Sequence, residues 1–169
     1  GGHPPRRRRG FKKNYHDNRR SIEAFGIGEH GGSAVVPLSC ASIYGKPLRD
    51  LWEEQPDRFP KIERAAYEEA MKQGGWIVFS GKHSTEFGIG TTAAEIVRAY
   101  FRNLHKVMPC SVLVNGQYGE KDVFTSVPAI LGAHGVEGIL EYPLEEGEEK
   151  DFHASNDLMR EYLKQALDM

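Results

Sequence analysis

The run Gly28-Glu29-His30-Gly31-Gly32-Ser33 places a histidine directly before two glycines. Each glycine costs roughly 1 kcal/mol in a helix interior relative to alanine, so the run favours a strand end or a tight loop. The unperturbed pKa of histidine, about 6.5, lets an imidazole on such a loop donate and accept protons near neutral pH. These six residues leave two interpretations open: an acid/base histidine, or a loop histidine with no chemical task.

Further blocks follow this histidine in a distinctive order. In sequence they are Val35-Val36-Pro37-Leu38-Ser39 with Gly45-Lys46-Pro47-Leu48, Gly81-Lys82-His83-Ser84-Thr85-Glu86-Phe87-Gly88-Ile89-Gly90, Ser111-Val112-Leu113-Val114-Asn115-Gly116-Gln117-Tyr118-Gly119, Ser126-Val127-Pro128 and Gly132-Ala133-His134-Gly135-Val136. In this order and at these intervals they resemble the C-terminal, substrate-binding half of the lactate/malate dehydrogenase family. The resemblance covers roughly residues 21–167.

The resemblance implies an α+β fold in which antiparallel strands pack against long helices, with no Rossmann half in this chain. It further implies the substrate-binding and acid/base domain of an NAD-dependent lactate or malate dehydrogenase. The implied substrate is a small 2-hydroxy or 2-oxo acid. His30 takes the position of the family's acid/base histidine. The expected partner is a nucleotide-binding half, and this chain alone is expected to be inactive.

Two more site residues are implied by the resemblance. Thr85 matches a family position beside the substrate, and Ile89 matches a cofactor-binding position against the nicotinamide ring. The alternative interpretations are structural: Thr85 at a helix N-terminus and Ile89 in the core. A threonine here is more similar to the lactate branch than to the malate branch, although one residue does not decide between these substrates.

The family's arginine, which grips the substrate carboxylate with two hydrogen bonds, lies in a Leu-Asp-x-x-Arg run. In the family this run lies about two dozen residues before the histidine, and the same interval before His30 falls on His3-Pro4-Pro5-Arg6 and continues to Arg9. Arg6 and Arg9 are therefore the candidate substrate-binding residues, and spacing does not choose within the run. The aspartate of the family's run has no counterpart here, and Gly32 stands at a position where the family usually has another aspartate. These departures keep an alternative open: a non-catalytic assembly module descended from the same domain.

Tight NAD binding by this chain alone is not expected. The letters Gly-x-Gly-x-x-Gly occur once, from Gly26 to Gly31, but we expect no helix to follow them, so they do not indicate a dinucleotide-binding turn. The seven histidines show no HExxH or similar pattern, and no metal site is expected.

Composition places the chain among ordinary globular proteins. Its 169 residues suggest a basic arm over 1–20 and one domain over 21–169. The arm carries eight lysines and arginines against Asp17, a net charge of about +7 that leaves about −9 for the rest of the chain. It is either a solvated terminus or an anion-binding segment, and nucleic acid is not the expected ligand because Phe11 and Tyr15 alone do not form a stacking platform.

Two isolated cysteines, Cys40 and Cys110, favour free thiols in a reducing cytoplasm. No apolar run approaches 18 residues, so no membrane contact is expected.

The local patterns predict elements around these residues. A strand over 22–27 leads into the His30 loop, a helix runs from Pro60 to Gly74-Gly75, and 76–79 forms either a buried strand or the lead-in of the next helix. Strands are also predicted over 110–114, 122–127 and 136–142, with an Asn115-Gly116 hairpin turn, and 145–151 is predicted to be a loop.

Two helices are predicted to carry wide apolar faces. The first covers 92–105, with Thr92 and Glu95 as a capping box and its face packed in the core. The second begins at Ser155 and buries Leu158, Tyr162, Leu163, Ala166 and Leu167. Because a domain separated from its partner half exposes such faces, we expect a homo-oligomer.

Overall fold

The computed structural model describes residues 21–169, except for the side chains of 71, 72, 74–76 and 82. The described chain divides into two compact units. The sheet unit consists of Gly26–Val35 and Ala94–Met169, and the helical unit consists of 21–25 and Val36–Ala93.

An antiparallel sheet of three strands organises the sheet unit. Strand β4 covers Lys106–Asn115, β5 covers Lys121–Gly132 and β6 covers Gly135–Ile139, with β5 in the centre. The predicted hairpin at Asn115-Gly116 is confirmed, because Gly116 takes a positive φ of 119° and begins the connection to β5. That connection contains a 3-10 turn at Gln117–Gly119, so it is longer than a two-residue hairpin turn.

The core of the sheet unit lies where helix α4, Glu146–Leu167, packs against β5. Its fully or nearly fully buried side chains include Val112, Val114, Val127, Ala129 and Phe152. The strands predicted over 110–114, 122–127 and 136–142 are therefore confirmed as elements, although the last ends at Ile139. The strand predicted over 22–27 is limited to Ile22–Glu23. Strand β5 extends five residues past its predicted end at Val127, because Pro128 pairs with Pro109 and the ladder continues to Lys106↔Leu131.

The helical unit contains a small antiparallel sheet and its helices. The short strands β1, Ile22–Glu23, β2, Ser42–Ile43, and β3, Lys46–Pro47, are followed by α1, Leu48–Glu54, and α2, Arg64–Lys82. Helix α3, Glu86–Phe101, begins in this unit and ends in the sheet unit. The helical unit has its own core, formed by Ile22, Val36, Leu38, Ala41, Leu48, Leu51, Phe59 and Tyr67.

The prediction that a helix ends at Gly74-Gly75 and a strand follows over 76–79 is wrong. Helix α2 continues through these residues to Lys82. It ends where His83 adopts the left-handed conformation, with φ 57° and ψ 14°. A glycine pair ends a helix only if one glycine takes that conformation, and otherwise it costs the helix about 1 kcal/mol per glycine.

The prediction of a helix over 92–105 with a core-packed face is wrong in its start and in its burial. Helix α3 begins at Glu86, and the Thr92 hydroxyl donates to the Gly88 carbonyl one turn earlier, 3.1 Å away, so Thr92 is not a cap. Periodicity identifies an apolar face but not what covers it. Ala99, which does not belong to the predicted face, is buried, whereas the large side chains of that face are 38–79% exposed: Ile96, Val97, Tyr100, Phe101 and Leu104.

The last helix also differs from its prediction. Helix α4 begins at Glu146, so the predicted acidic loop forms its first turns, with Glu145 and Glu148 making a capping box. Carboxylates are favoured there because they face the positive end of the helix dipole. Ser155 is a buried residue inside the helix rather than its cap, while Tyr162, Leu163 and Leu167, predicted to be buried, are 52–77% exposed.

Replacing Phe152 with alanine tests the core of the sheet unit. Phe152 is fully buried and meets Tyr118 edge to face, with ring centroids 5.5 Å apart. We expect Phe152→Ala to lower the free energy of unfolding by about 3–5 kcal/mol, because it removes apolar contacts and leaves a cavity. Tyr162→Ala, on the exposed part of the same helix, should change it by less than about 1 kcal/mol. Urea unfolding followed by circular dichroism measures both, and equal losses would contradict this packing.

Candidate functional site

The loop that carries His30 is closed at its base by a pair of backbone hydrogen bonds. Ile27 N–H donates to the Val35 carbonyl at 3.0 Å, and Val35 N–H donates back to Ile27 at 3.1 Å. Both residues are at most 2% exposed. The sequence prediction that Gly26–Gly31 opens no helix is confirmed, because residues 28–34 form a turn that returns the chain to Val35.

A second pair of hydrogen bonds fixes the same loop to the sheet. Gly28 N–H donates to the Ser126 carbonyl at 3.0 Å, and Ser126 N–H donates to the Gly28 carbonyl at 3.2 Å. Ser126 lies in the central strand β5, and its hydroxyl also donates to the Gly26 carbonyl at 3.4 Å. The loop is therefore attached to the most buried strand of the unit.

The position of Gly28 requires glycine for two reasons. Its φ of +84° is unfavourable for residues with a Cβ. A Cβ on Gly28 would also lie 2.6 Å from Ser155 Oγ and 3.1 Å from Ser155 Cβ. Helix α4 therefore packs directly on the backbone of the loop.

Polar contacts tie the two sides of the loop to helix α4. Glu29 N–H donates to Ser155 Oγ at 2.9 Å, and Ser155 Oγ lies 3.1 Å from Ser33 Oγ. Ser33 Oγ and Ser33 N–H both donate to Glu29 Oε2, at 2.8 and 3.1 Å. Residues 29, 33 and 155 thus form a closed ring of hydrogen bonds beneath the turn.

His30 lies at the apex of this turn and is exposed. The ring holds the residues on both sides of it, while the imidazole lies on the surface of the sheet unit. An imidazole presented to solvent from an anchored backbone is suited to exchange a proton with a small molecule.

The other predicted site residues lie elsewhere in the chain. Thr85 is half-buried immediately before helix α3, and Ile89 is 50% exposed in the first turn of that helix. Both belong to the helical unit. Arg6 and Arg9 lie outside the described residues, and so does the basic arm.

Sequence reasoning missed a charged cluster that holds helix α4. Glu120, only 4% exposed, accepts from Arg160 Nη2 through Oε2 at 2.5 Å, and its Oε1 lies 2.5 Å from His153 Nδ1. Arg160 also donates to Asp157 at 2.9 Å. Burial raises the pKa of Glu120, but hydrogen bonds from His153 and Arg160 outweigh burial, and the pKa lies below its ordinary value of 4.5.

No local pattern indicates this cluster or the hydroxyl ring, because their members are separated by 33, 40 and 126 residues along the chain. Within the described residues, no group of three or more histidine, cysteine or acidic side chains is placed to hold a metal ion. None of the helices in the described part of the chain combines the length and apolarity needed to cross a membrane.

Comparisons with known proteins agree on one family. Residues 7–169 match the family model described as lactate/malate dehydrogenase, alpha/beta C-terminal domain. The L-lactate dehydrogenase of Fusobacterium nucleatum is 41% identical over 143 residues, which cover 85% of this chain and 45% of that protein. L-lactate dehydrogenase 3 of Bacillus thuringiensis is 39% identical over 88% of this chain and 47% of that protein.

The fold comparison gives the same result. The crystal structure of the minor L-lactate dehydrogenase from Enterococcus mundtii, in its ligands-bound form, matches with a TM-score of 0.87 at 30% identity. The match covers 95% of this chain and 51% of that one. This chain therefore spans about half the length of the relatives it matches.

The fold and the site define a class of protein: an α+β domain with antiparallel strands that carries a histidine on an anchored loop. The chain belongs to the lactate/malate dehydrogenase family, and the part of that family it matches is the C-terminal domain. The resemblance seen in the sequence is thereby confirmed.

The lowered pKa of Glu120 predicts how stability depends on pH. A carboxyl group whose pKa is lower in the folded state stabilises that state above its unfolded pKa, and this stabilisation is lost as pH falls through the folded pKa. We expect the free energy of unfolding to decrease as pH drops below about 4.5, the ordinary value.

The Glu120→Gln variant should be less stable at neutral pH and lose less stability on acidification, because it has no carboxyl group to protonate. Glu161→Gln, at an exposed position of helix α4, serves as the matched control and should follow the wild-type profile. Urea unfolding between pH 3 and 7 measures the slopes. A Glu120→Gln profile parallel to the wild-type profile would contradict the assignment.

Proposed function

We propose that this chain is the substrate-binding and acid/base part of an NAD-dependent 2-hydroxy acid dehydrogenase of the lactate or malate class. The observation that carries the proposal is the exposed His30 on a loop held to strand β5 and helix α4. Membership of the lactate/malate dehydrogenase family supports it, since L-lactate dehydrogenases are among the relatives.

The proposed role of His30 is proton transfer. Oxidation of a 2-hydroxy acid removes a hydride from C2 and a proton from the hydroxyl group, leaving a 2-oxo acid. The neutral imidazole of His30 takes the hydroxyl proton in this direction, and the imidazolium returns it to the oxygen in the reverse direction. NAD, when bound, supplies the hydride acceptor.

The other residues would bind and orient the reactants. The hydroxyl group of Thr85 would hydrogen-bond the substrate, and the half-exposed side chain of Ile89 offers an apolar surface for the nicotinamide ring. Arg6 or Arg9 would bind the substrate carboxylate with two parallel hydrogen bonds.

The Gly26–Gly31 run bends back to Val35 instead of opening a helix, so it provides no helix N-terminus for a pyrophosphate. We therefore assign tight NAD binding to a nucleotide-binding half, as this chain's partner in the complete dehydrogenase.

The exposed face of helix α3 suits that partner. Within the sheet unit, Val97 is 52% and Phe101 is 79% exposed, beside the partly exposed Ile96 and Tyr100. Such contiguous apolar surface is typical of a protein–protein interface. We place the nucleotide-binding half or a second copy of the chain on this face, and a cytoplasmic homo-oligomer is the assembly we propose.

The same exposed face favours a second candidate function, a non-catalytic assembly module descended from the dehydrogenase domain. Both candidates need an apolar docking surface, but only the dehydrogenase needs a proton-transferring side chain on the loop. The chemistry of His30 therefore distinguishes them.

Replacing His30 with glutamine tests the proposed reaction in the complete dehydrogenase. Glutamine keeps a similar volume and some hydrogen bonding but cannot transfer the proton, and general acid–base catalysis contributes about 10²–10⁴-fold. We expect turnover of lactate or malate, and of pyruvate or oxaloacetate in reverse, to fall by at least about 10²-fold with folding little changed.

The matched control is His134→Gln, which changes another exposed histidine of the sheet unit and should leave turnover within about twofold of wild type. A pH–rate profile from pH 5 to 9 accompanies each variant. Near-equal rates for wild type and His30→Gln would remove His30 from the chemistry and favour the assembly module.

A further inference from the structure

We propose that Ser155 of helix α4 is a positioning residue for His30, and that it sets the height and orientation of the turn through its hydroxyl group. The inference rests on the proposed acid/base role of His30. It adds a residue 125 positions away along the chain, outside every block that carries the family resemblance.

The direction of each hydrogen bond in the ring follows from the groups present. The carboxylate of Glu29 only accepts, so Ser33 Oγ uses its proton in the 2.8 Å bond to Glu29 Oε2. The 3.1 Å bond between the two hydroxyl groups then requires Ser155 to be the donor. Ser155 Oγ also accepts the backbone N–H of Glu29 at 2.9 Å. Ser155 Oγ therefore joins the two sides of the loop, because it accepts from the N–H of Glu29 and donates to the hydroxyl group of Ser33.

Ser155 is itself held rigidly. Its side chain is fully buried, and helix α4 is fixed on either side of it by the bonds of His153 and Arg160 to Glu120. The hydroxyl group is therefore a fixed point, and the loop must adjust to it. Its contact with the Gly28 backbone, which leaves no space for a Cβ, prevents the loop from moving closer to the helix.

The placement of His30 follows from these contacts. Residues 29 and 33 are tied to Ser155 and to each other, so the apex between them has little freedom to tilt. Proton transfer requires a donor–acceptor distance of about 2.6–3.2 Å, and small displacements of the imidazole lower its rate more than they lower substrate binding.

The test is Ser155→Ala in the complete dehydrogenase, with Ser111→Ala as the matched control. Ser111 is exposed in strand β4 and lies outside the ring. We expect Ser155→Ala to lower kcat about tenfold per folded enzyme, because the Glu29 N–H loses its acceptor, and to change the KM for NADH by less than about twofold. Ser111→Ala should leave both constants within about twofold of wild type.

A second readout does not depend on activity. In the 169-residue chain, Ser155→Ala should speed amide hydrogen exchange of Glu29 about tenfold, while amides inside β4 and β5 exchange as in wild type. Faster exchange at Glu29 with an unchanged kcat, or a loss of thermal stability alone, would overturn the positioning role and leave the proposed function intact. Wild-type turnover in His30→Gln would instead overturn the proposed function, and the positioning role with it.

Discussion

The two hydrogen bonds between Gly28 and Ser126 are the constraint on which the site depends. They attach a loop near residue 30 to the central strand of a sheet formed about a hundred residues later, at 3.0 and 3.2 Å. Ser155 then locks the other side of the loop to helix α4. Glu120, which pairs with His153 and Arg160, holds that helix against the end of the β4–β5 hairpin. An exposed histidine thereby acquires a defined position from buried and partly buried contacts.

Residue patterns predicted much of the sheet unit and the identity of the loop. The run over 110–114 and the Asn115-Gly116 pair predicted a hairpin that corresponds to strands β4 and β5, because turn chemistry is a local property. The histidine–glycine run predicted a turn, since glycines are unfavourable in a helix. The order of the blocks predicted the family. His30 was therefore identified as a candidate without knowledge of its surroundings.

The remaining features depend on contacts that a sequence does not display. The ring through Ser155 and the ion pairs of Glu120 join residues far apart in the chain, and an isolated serine or glutamate carries no signal of its partner. The apolar period of helix α3 was correct, but Phe101 and its neighbours are exposed. Periodicity reveals an apolar face without revealing what covers it. Helix boundaries failed at Gly74-Gly75, where helix α2 continues to Lys82, and at Ser155, which is buried inside helix α4.

Native-state hydrogen exchange of the Gly28 and Ser126 amides tests the central claim most directly, namely that the His30 loop is part of the folded sheet. Amides in core strands exchange only through large-scale opening, whereas those of surface turns exchange through local fluctuations. We expect both amides to exchange as slowly as that of Val112 in β4 and to share its dependence on denaturant. Exchange of Gly28 as fast as that of the open turn residue Gly32 would contradict it.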